Sequence, residues 1–262
     1  MAAVAGVVTS PDGTALAYER EGEGPALVLV DAAGHFRQFS TFNGGLIALL
    51  ASDFTVVSYD RRGRGFSTDN APYAVEREVD DLAALIDAVD GSAFVYAFSS
   101  GGLLALQAAA LGLPIPRMAL LEPPIERAED RTAQRAFTAG LTELIDADNP
   151  DGAVEYYLTG IGVPAEIVAD MHDSAAWTAM SSVVATLVYD CRISAATSFD
   201  LLAAVPIRTL VLHSTGSTDD LAGMAAAVAS ALPNGLSRSL PGGWHGVDDA
   251  EVAPVLREFF LG

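Results

Sequence analysis

Apolar positions fall into two alternating patterns along most of the chain. Five short runs are apolar almost without interruption: Ala26 to Val30, Phe54 to Tyr59, Ala93 to Phe98, Met118 to Leu121, and Arg208 to His213 after its first residue. Such runs predict strands buried on both faces, as in a parallel sheet. Between them lie helical patterns. The clearest sets Val75, Val79, Leu82, Leu85, Ile86 and Val89 on one face and Glu76, Glu78, Asp80 and Asp87 on the other, which is an amphipathic surface helix. Ahead of these, Val4 to Thr9 and Ala15 to Arg20 flank Pro11-Asp12-Gly13 and predict a hairpin. Strands alternating with helices imply right-handed crossovers and a doubly wound, mostly parallel α/β sheet, whose sites lie at the carboxyl ends of its strands.

The alternation stops between Pro123 and about Leu201. Helices are predicted there at Thr132 to Ala147, Gly152 to Thr159 and Ala175 to Val188, with Pro150 and Pro164 as breaks. The sheet pattern resumes at Pro206. A closing helix, Glu251 to Phe260, has Val252, Val255, Leu256 and Phe259 on one face. The expected organisation is an α/β core of residues 1–123 and 201–262, carrying a helical cap at 124–200. One uncharged stretch, Gly91 to Pro116, is long enough to span a bilayer. Its centre, Ser99-Ser100-Gly101-Gly102, separates a strand-like run from the Ala/Leu-rich Leu103 to Leu111, so a buried strand, turn and helix is the expectation.

Composition narrows the chemistry. The 262 residues carry a net charge of −20, and all 14 basic residues are arginine. Without lysine there is no Schiff base, no covalently held pyridoxal phosphate, no phosphate-loop lysine and no Ser-Lys dyad. The acidic balance opposes nucleic acid and anionic membrane surfaces as partners. One cysteine, Cys191, excludes an intrachain disulfide, and His35, His172, His213 and His245 lack metal-site spacing, so no metal is expected. The first ten residues have no basic residue before a short apolar run, unlike a secretory signal, and a cytoplasmic location is the expectation.

Candidate chemistry centres on Val95-Tyr96-Ala97-Phe98-Ser99-Ser100-Gly101-Gly102. A serine between a buried strand and a helix, with small residues two before (Ala97) and two after (Gly101), fits a nucleophile elbow. Such a turn holds its serine in a strained conformation costing about 1–3 kcal/mol. The N–H of Ser100 then lies at a helix N-terminus, where it can stabilise an oxyanion. The alternative employment of Ser99 is as a helix N-cap. With Tyr59-Asp60-Arg61-Arg62-Gly63-Arg64-Gly65-Phe66-Ser67 after the fourth strand and Gly242-Gly243-Trp244-His245-Gly246 before the last helix, these motifs resemble the α/β-hydrolase superfamily over essentially the whole chain. Its fold, with an N-terminal antiparallel hairpin and an inserted helical cap, and its serine-hydrolase chemistry are therefore the expectation.

That resemblance places the catalytic base at His245. The usual acid position, after the strand ending at His213, falls on Ser214-Thr215-Gly216-Ser217 and holds no carboxylate. Asp219 and Asp220 follow slightly late, where a helix dipole alone explains them. Glu122, ending the strand Met118 to Leu121 and followed by Pro123-Pro124, is the favoured acid, with Asp219 and Asp220 as alternatives. An acid after that strand, together with a Ser-Ser-Gly turn and a third strand ending in an aspartate and small residues, is similar to the zearalenone-type lactonase group. The loop Asp31-Ala32-Ala33-Gly34-His35 implies an oxyanion donor at the N–H of Ala33, or one residue earlier at Ala32.

Tyr156, Tyr157, Met171, Trp177, Met180 and Tyr189 lie on the cap and imply an apolar substrate, unless they form the cap's own core. Trp177, Asp31 and His35 are candidate substrate contacts; for Asp31 a loop-capping role is the equal alternative. Arg61, Arg62 and Arg64 belong to the family turn, and no arginine cluster is expected beside the site. The expected function is a cofactor-free serine hydrolase of a carboxylic ester or lactone, acting through an acyl-enzyme on Ser99, with a homodimer allowed. The alternatives are a non-hydrolytic lyase, cyclase or oxygenase on the same fold, or a catalytically poor small-molecule binding protein.

Overall fold

A computed structural model describes residues 3–42, 45–125 and 131–262. The chain opens with strands β1 (Val4–Thr9), β2 (Ala15–Glu21) and β3 (Ala26–Val30), followed by helix α1 (Leu46–Leu50). Then come β4 (Thr55–Tyr59), α2 (Val75–Val89), β5 (Phe94–Phe98), α3 (Ser100–Ala110) and β6 (Arg117–Leu121). Helices α4 (Thr132–Asp146), α5 (Pro150–Gly160), α6 (Ala165–Met171), α7 (Ala175–Ser182), α8 (Leu187–Ala196) and α9 (Phe199–Leu202) separate β6 from β7 (Arg208–Ser214). Last are α10 (Asp219–Ala231), β8 (Gly235–Leu240) and α11 (Asp249–Leu261).

The eight strands form one sheet in the order β1-β2-β4-β3-β5-β6-β7-β8. β1 and β2 make the antiparallel hairpin, β2 is antiparallel to β4, and the remaining pairings are parallel. Alternate residues serve opposite faces. Val28, Val30, Val95, Ala97 and Leu120 pack with Leu82, Leu85, Leu104 and Val228 of α2, α3 and α10. Leu27, Leu29, Tyr96, Phe98 and Leu212 pack with Leu46, Leu50, Val255, Leu256 and Phe259 of α1 and α11. Because β4 and β5 flank β3 on opposite sides, the strand order reverses there and opens a crevice at the carboxyl ends of β3 and β5.

The uncharged stretch Gly91 to Pro116 is β5 and α3, and among the described residues no helix is long and apolar enough to cross a membrane. Helices α1, α6 and α9 lie outside the helices expected from the sequence, and two further differences have a visible cause. The single helix over Ala175 to Val188 is broken: Val183 leaves helical geometry at φ −118°, ψ 17°, and a 3₁₀ turn follows before α8. The consecutive β-branched Val183 and Val184 weaken a helix at that point. β8 carries no apolar run because only its Leu240 is buried, and its position at the sheet edge explains why. Residues 126–130, which fall in the segment expected to form the cap, lie outside the described residues.

Candidate active site

Ser99 follows β5 and precedes α3, at φ 52° and ψ −124°, and its side chain makes no capping bond to the helix. The N-cap employment is therefore absent. Its N–H donates to Leu121 O at 2.9 Å, tying the turn to β6. The flanking small residues have a visible cause. A Cβ on Gly101 would lie 2.4 Å from Val30 O and 2.6 Å from Asp31 O, so only glycine lets α3 approach the end of β3. Ala97 is wholly buried in the sheet.

His245 lies at the tip of a two-residue turn between Gly243 and Gly246, which pair with each other. Its Nε2 is 3.0 Å from Ser99 Oγ, and its Nδ1 is 2.6 Å from Glu122 Oε2. Glu122 is 1% exposed. Burial alone would raise its carboxyl pKa, but bonds from the His245 ring, the Ser217 hydroxyl and the Ser214 N–H outweigh it and hold the group below the usual range. Glu122 therefore accepts, so Nδ1 carries the proton and Nε2 is free to accept from the Ser99 hydroxyl. Ser217 Oγ also accepts the His245 N–H at 3.0 Å, anchoring the turn. Ser99, Glu122 and His245 lie at φ 52°, 48° and 48°, three of the five non-glycine residues at positive φ among those described.

The N–H groups of Ala33 and Ser100 have no protein acceptor among the described hydrogen bonds. Ala32 N–H, the alternative donor, is taken by Asp31 Oδ1 at 2.8 Å. Asp31 also accepts from the Thr41 hydroxyl at 2.7 Å and the Thr41 N–H at 3.2 Å. It acts as a loop cap, 5% exposed, with its carboxylate bonded within its own segment. His35 Nδ1 lies 2.9 Å from Ala33 O, so this ring likewise turns back on its loop. Trp177 is 4% exposed, donates to Asp151 Oδ1 at 2.9 Å and packs with Leu141, Val154, Tyr157 and Met180. Its surroundings are those of the inserted helices' own core, and the same apolar cluster reaches Ala33 and, at its border, Trp244.

Asp219 and Asp220 sit exposed in the first turn of α10, which the Thr218 hydroxyl caps. The carboxylate on the His245 ring is Glu122. His213 is half-buried on β7, and His172 is half-exposed beside Asp173. Burial pushes the Cys191 thiol up to about 12, so it is inert as a nucleophile near neutral pH.

Sequence reasoning missed a charged network beside the turn. Arg61, Arg62 and Arg64 are all at most 1% exposed. Arg61 makes two bonds to Glu78 at 2.8 and 3.0 Å and one to Asp190 at 2.8 Å. Arg62 pairs with Asp81 and Asp12. Arg64 reaches Asp190 at 2.6 Å, Ala32 O at 2.8 Å and His35 O at 3.2 Å. An arginine cluster thus lies next to the site after all, neutralised by buried carboxylates. The available signal was Asp190 itself, an acid on the apolar face that α8 buries with Leu187, Cys191 and Ile193.

Comparison with known proteins places these residues in context. Residues 27–256 match the Alpha/beta hydrolase family. The crystal structure of an alpha/beta hydrolase from Sphaerobacter thermophilus is 41% identical, covers 97% of this chain and 100% of its own, and superposes with a TM-score of 0.89. A Synechocystis sp. protein named "Putative non-heme chloroperoxidase" is 25% identical, with 92% of this chain and 93% of that protein covered. The enol-lactonase from Burkholderia xenovorans shares the fold at 21% identity and a TM-score of 0.70, over 98% of this chain and 100% of that one.

Proposed function

The chain belongs to the alpha/beta hydrolase family, and from that premise and the site's geometry we propose that it is a serine hydrolase of carboxylic esters or lactones. One observation carries the reading: an unbroken relay from Ser99 Oγ to His245 Nε2 at 3.0 Å and from His245 Nδ1 to Glu122 at 2.6 Å. A serine hydroxyl is too weak an acid to attack unaided, and this arrangement gives its proton somewhere to go.

In the proposed reaction Ser99 Oγ attacks the carbonyl carbon while His245 Nε2 takes the hydroxyl proton. Glu122 stabilises the imidazolium that forms and keeps the ring in the required tautomer. Ala33 and Ser100 N–H groups receive the carbonyl oxygen as it becomes an oxyanion. The carbon–oxygen bond to the leaving group breaks as His245 returns the proton to that oxygen. Water, deprotonated by the same nitrogen, then attacks the acyl carbon, and the acyl–Oγ bond breaks as His245 returns that proton to Ser99. In a lactone the leaving oxygen remains joined to the acyl group through the ring carbons, so the second step releases a single hydroxy acid.

The substrate class rests on the apolar surroundings of the oxyanion loop: the buried core of the helices between β6 and β7 reaches Ala33 and borders Trp244, which supports an uncharged, fairly apolar molecule beside those helices. An acid after β6, with the Ser-Ser-Gly turn, supports the lactone end of the range and the nearer kinship to zearalenone-type lactonases. A fluorophosphonate probe tests the reading. Intact protein should gain one adduct on Ser99, and Ser99→Ala should abolish p-nitrophenyl ester cleavage. Unlabelled Ser99, with cleavage by wild type and Ser99→Ala alike no faster than the buffer background, would favour the non-hydrolytic or binding-protein alternatives.

A further inference from the structure

Asp190 is a carboxylate that the proposed reaction does not consume, yet its bonds lead to both oxyanion donors. It lies on α8, 2% exposed. Its Oδ1 accepts from the Ser100 hydroxyl at 2.9 Å and from Arg61 Nη1 at 2.8 Å, and its Oδ2 accepts from Arg64 Nη2 at 2.6 Å. Arg64 Nη1 in turn donates to Ala32 O at 2.8 Å and His35 O at 3.2 Å, while its Nε donates to Thr186 Oγ1 at 3.1 Å.

The bond to Ala32 O matters because that carbonyl and the Ala33 N–H belong to one planar trans peptide, in which C=O and N–H point in opposite directions. A guanidinium fixed on the oxygen fixes the direction of the hydrogen on the other side. A cationic donor on the carbonyl also polarises the peptide and strengthens its N–H as a donor. The second N–H belongs to Ser100, whose own hydroxyl is held by the same carboxylate. Two donors from separate segments, one after β3 and one after β5, are thus referred to a single buried group brought in by a helix of the inserted segment.

The charges balance locally. Arg61 and Arg64 face Glu78 and Asp190, all with side chains no more than 2% exposed. Desolvation disfavours the Asp190 carboxylate, but Arg61 and Arg64 outweigh it and the group stays ionised. Buried ion pairs of this kind contribute little net stability but impose geometry.

We propose that Asp190 is a positioning residue for the oxyanion hole, holding the Ala32–Ala33 peptide through Arg64 and the Ser100 backbone through the Ser100 hydroxyl. This rests on the hydrolase reading above. Because the segment between β6 and β7 supplies Asp190, that segment takes part in the catalytic geometry.

The test compares wild type, Ser100→Ala, Asp190→Asn and the double variant on a p-nitrophenyl ester. Rates are expressed per active site titrated to completion with fluorophosphonate, and folding is monitored by circular dichroism. Ser100→Ala keeps the backbone N–H and loses only the tether. Its kcat should fall about tenfold with KM within twofold, less than the roughly 10²–10³-fold that loss of a whole donor costs. Asp190→Asn, which disturbs both the Arg64 route and the Ser100 tether, should lower kcat further, and because the Ser100 hydroxyl acts only through Asp190 the two losses should combine to less than their product in the double variant. If Asp190→Asn fails to fold, Ser100→Ala decides alone. A role confined to stability would lower Tm while leaving kcat per titrated site unchanged. Wild type that turns over and titrates normally, beside variants that keep wild-type kcat, overturns the positioning role and leaves the hydrolase reading intact. Wild type with no Ser99 adduct and no turnover overturns the hydrolase reading, and the positioning role with it.

Discussion

His245 Nδ1 lies 2.6 Å from Glu122 Oε2, although 123 residues separate the two in the chain. Glu122 is held from behind by the Ser214 N–H at 2.8 Å, so its second oxygen has a fixed direction. Replacing Glu122 with glutamine keeps the size of the group but can present an amide N–H to Nδ1, which favours the wrong imidazole tautomer and removes the charge that stabilises imidazolium. In a serine protease triad the corresponding change lowers kcat about 10⁴-fold, and Glu122→Gln should lower kcat by at least ~10²-fold on the same scale. Asp219→Asn and Asp220→Asn, at the exposed start of α10, should stay within twofold of wild type. Steady-state kinetics on one ester decides between them, and a fully active Glu122→Gln would remove Glu122 from the mechanism.

Gly101 joins the nucleophile turn to the end of β3. An added Cβ meets backbone oxygens of Val30 and Asp31 at 2.4 and 2.6 Å, and backbone cannot move aside as a flexible side chain can. Gly101→Ala should therefore push α3 away from the Ala33 loop and misplace one oxyanion donor relative to the other. The expected result is a loss of kcat of about tenfold or more, together with a lower Tm from the overpacked contact. A variant with wild-type kcat and Tm would mean that the approach of α3 to β3 is looser than described.

The parallel strands are legible in the sequence because each is buried on both faces, so β3 and β5 read as unbroken apolar runs and β4 and β6 as nearly unbroken ones. β8 is not, since an edge strand with four consecutive exposed residues carries no such signal. Ser99 and Glu122 are conspicuous as polar residues directly ending apolar strands. His245 is conspicuous for the glycines that let its turn reach inward. Asp190 is illegible for a different reason: Ser100 and Arg61 are 90 and 129 residues away in sequence, and no local pattern records a pairing that only the packing of α8 against the core creates. Asp31 and Trp177 are the complementary case: residue type alone suggests a ligand contact, and neighbouring polar groups, invisible in the sequence, hold both side chains.

Trp177 offers a direct check on that last point. Its indole N–H donates to Asp151 Oδ1, which also accepts from the Ser181 hydroxyl at 3.1 Å. Trp177→Phe removes the donor and part of the ring from the apolar cluster, and should cost about 1–3 kcal/mol of stability. KM for apolar esters should stay within twofold. Thermal unfolding and steady-state kinetics together test this. A large rise in KM with unchanged Tm would return Trp177 to the substrate pocket.

Acid sensitivity follows from the direction of the carboxyl shifts. Burial alone would raise the pKa of Asp12, but bonds from the Thr14 side chain and N–H and from Arg62 outweigh it and bring the group down to about 2. Glu122 and Asp190 are also held below their ordinary values. A carboxyl whose folded pKa lies below its unfolded value, near 4 for aspartate, contributes stability that is fully present above about pH 4 and is lost as pH falls through the folded value. Asp81 and Asp249 are shifted upward, chiefly by burial, and act in the opposite sense. Total stability therefore mixes the two signs, and a variant separates them. Asp12→Asn retains an acceptor for the Thr14 N–H but loses the charge facing Arg62, 2.9 Å away. It should unfold at lower urea than wild type at pH 6, and the gap between the two midpoints should close between about pH 4 and pH 2 as the wild-type carboxyl takes up its proton. A gap that stays constant down to pH 2 would show that the Asp12 charge contributes nothing and that its hydrogen bonds alone hold the loop.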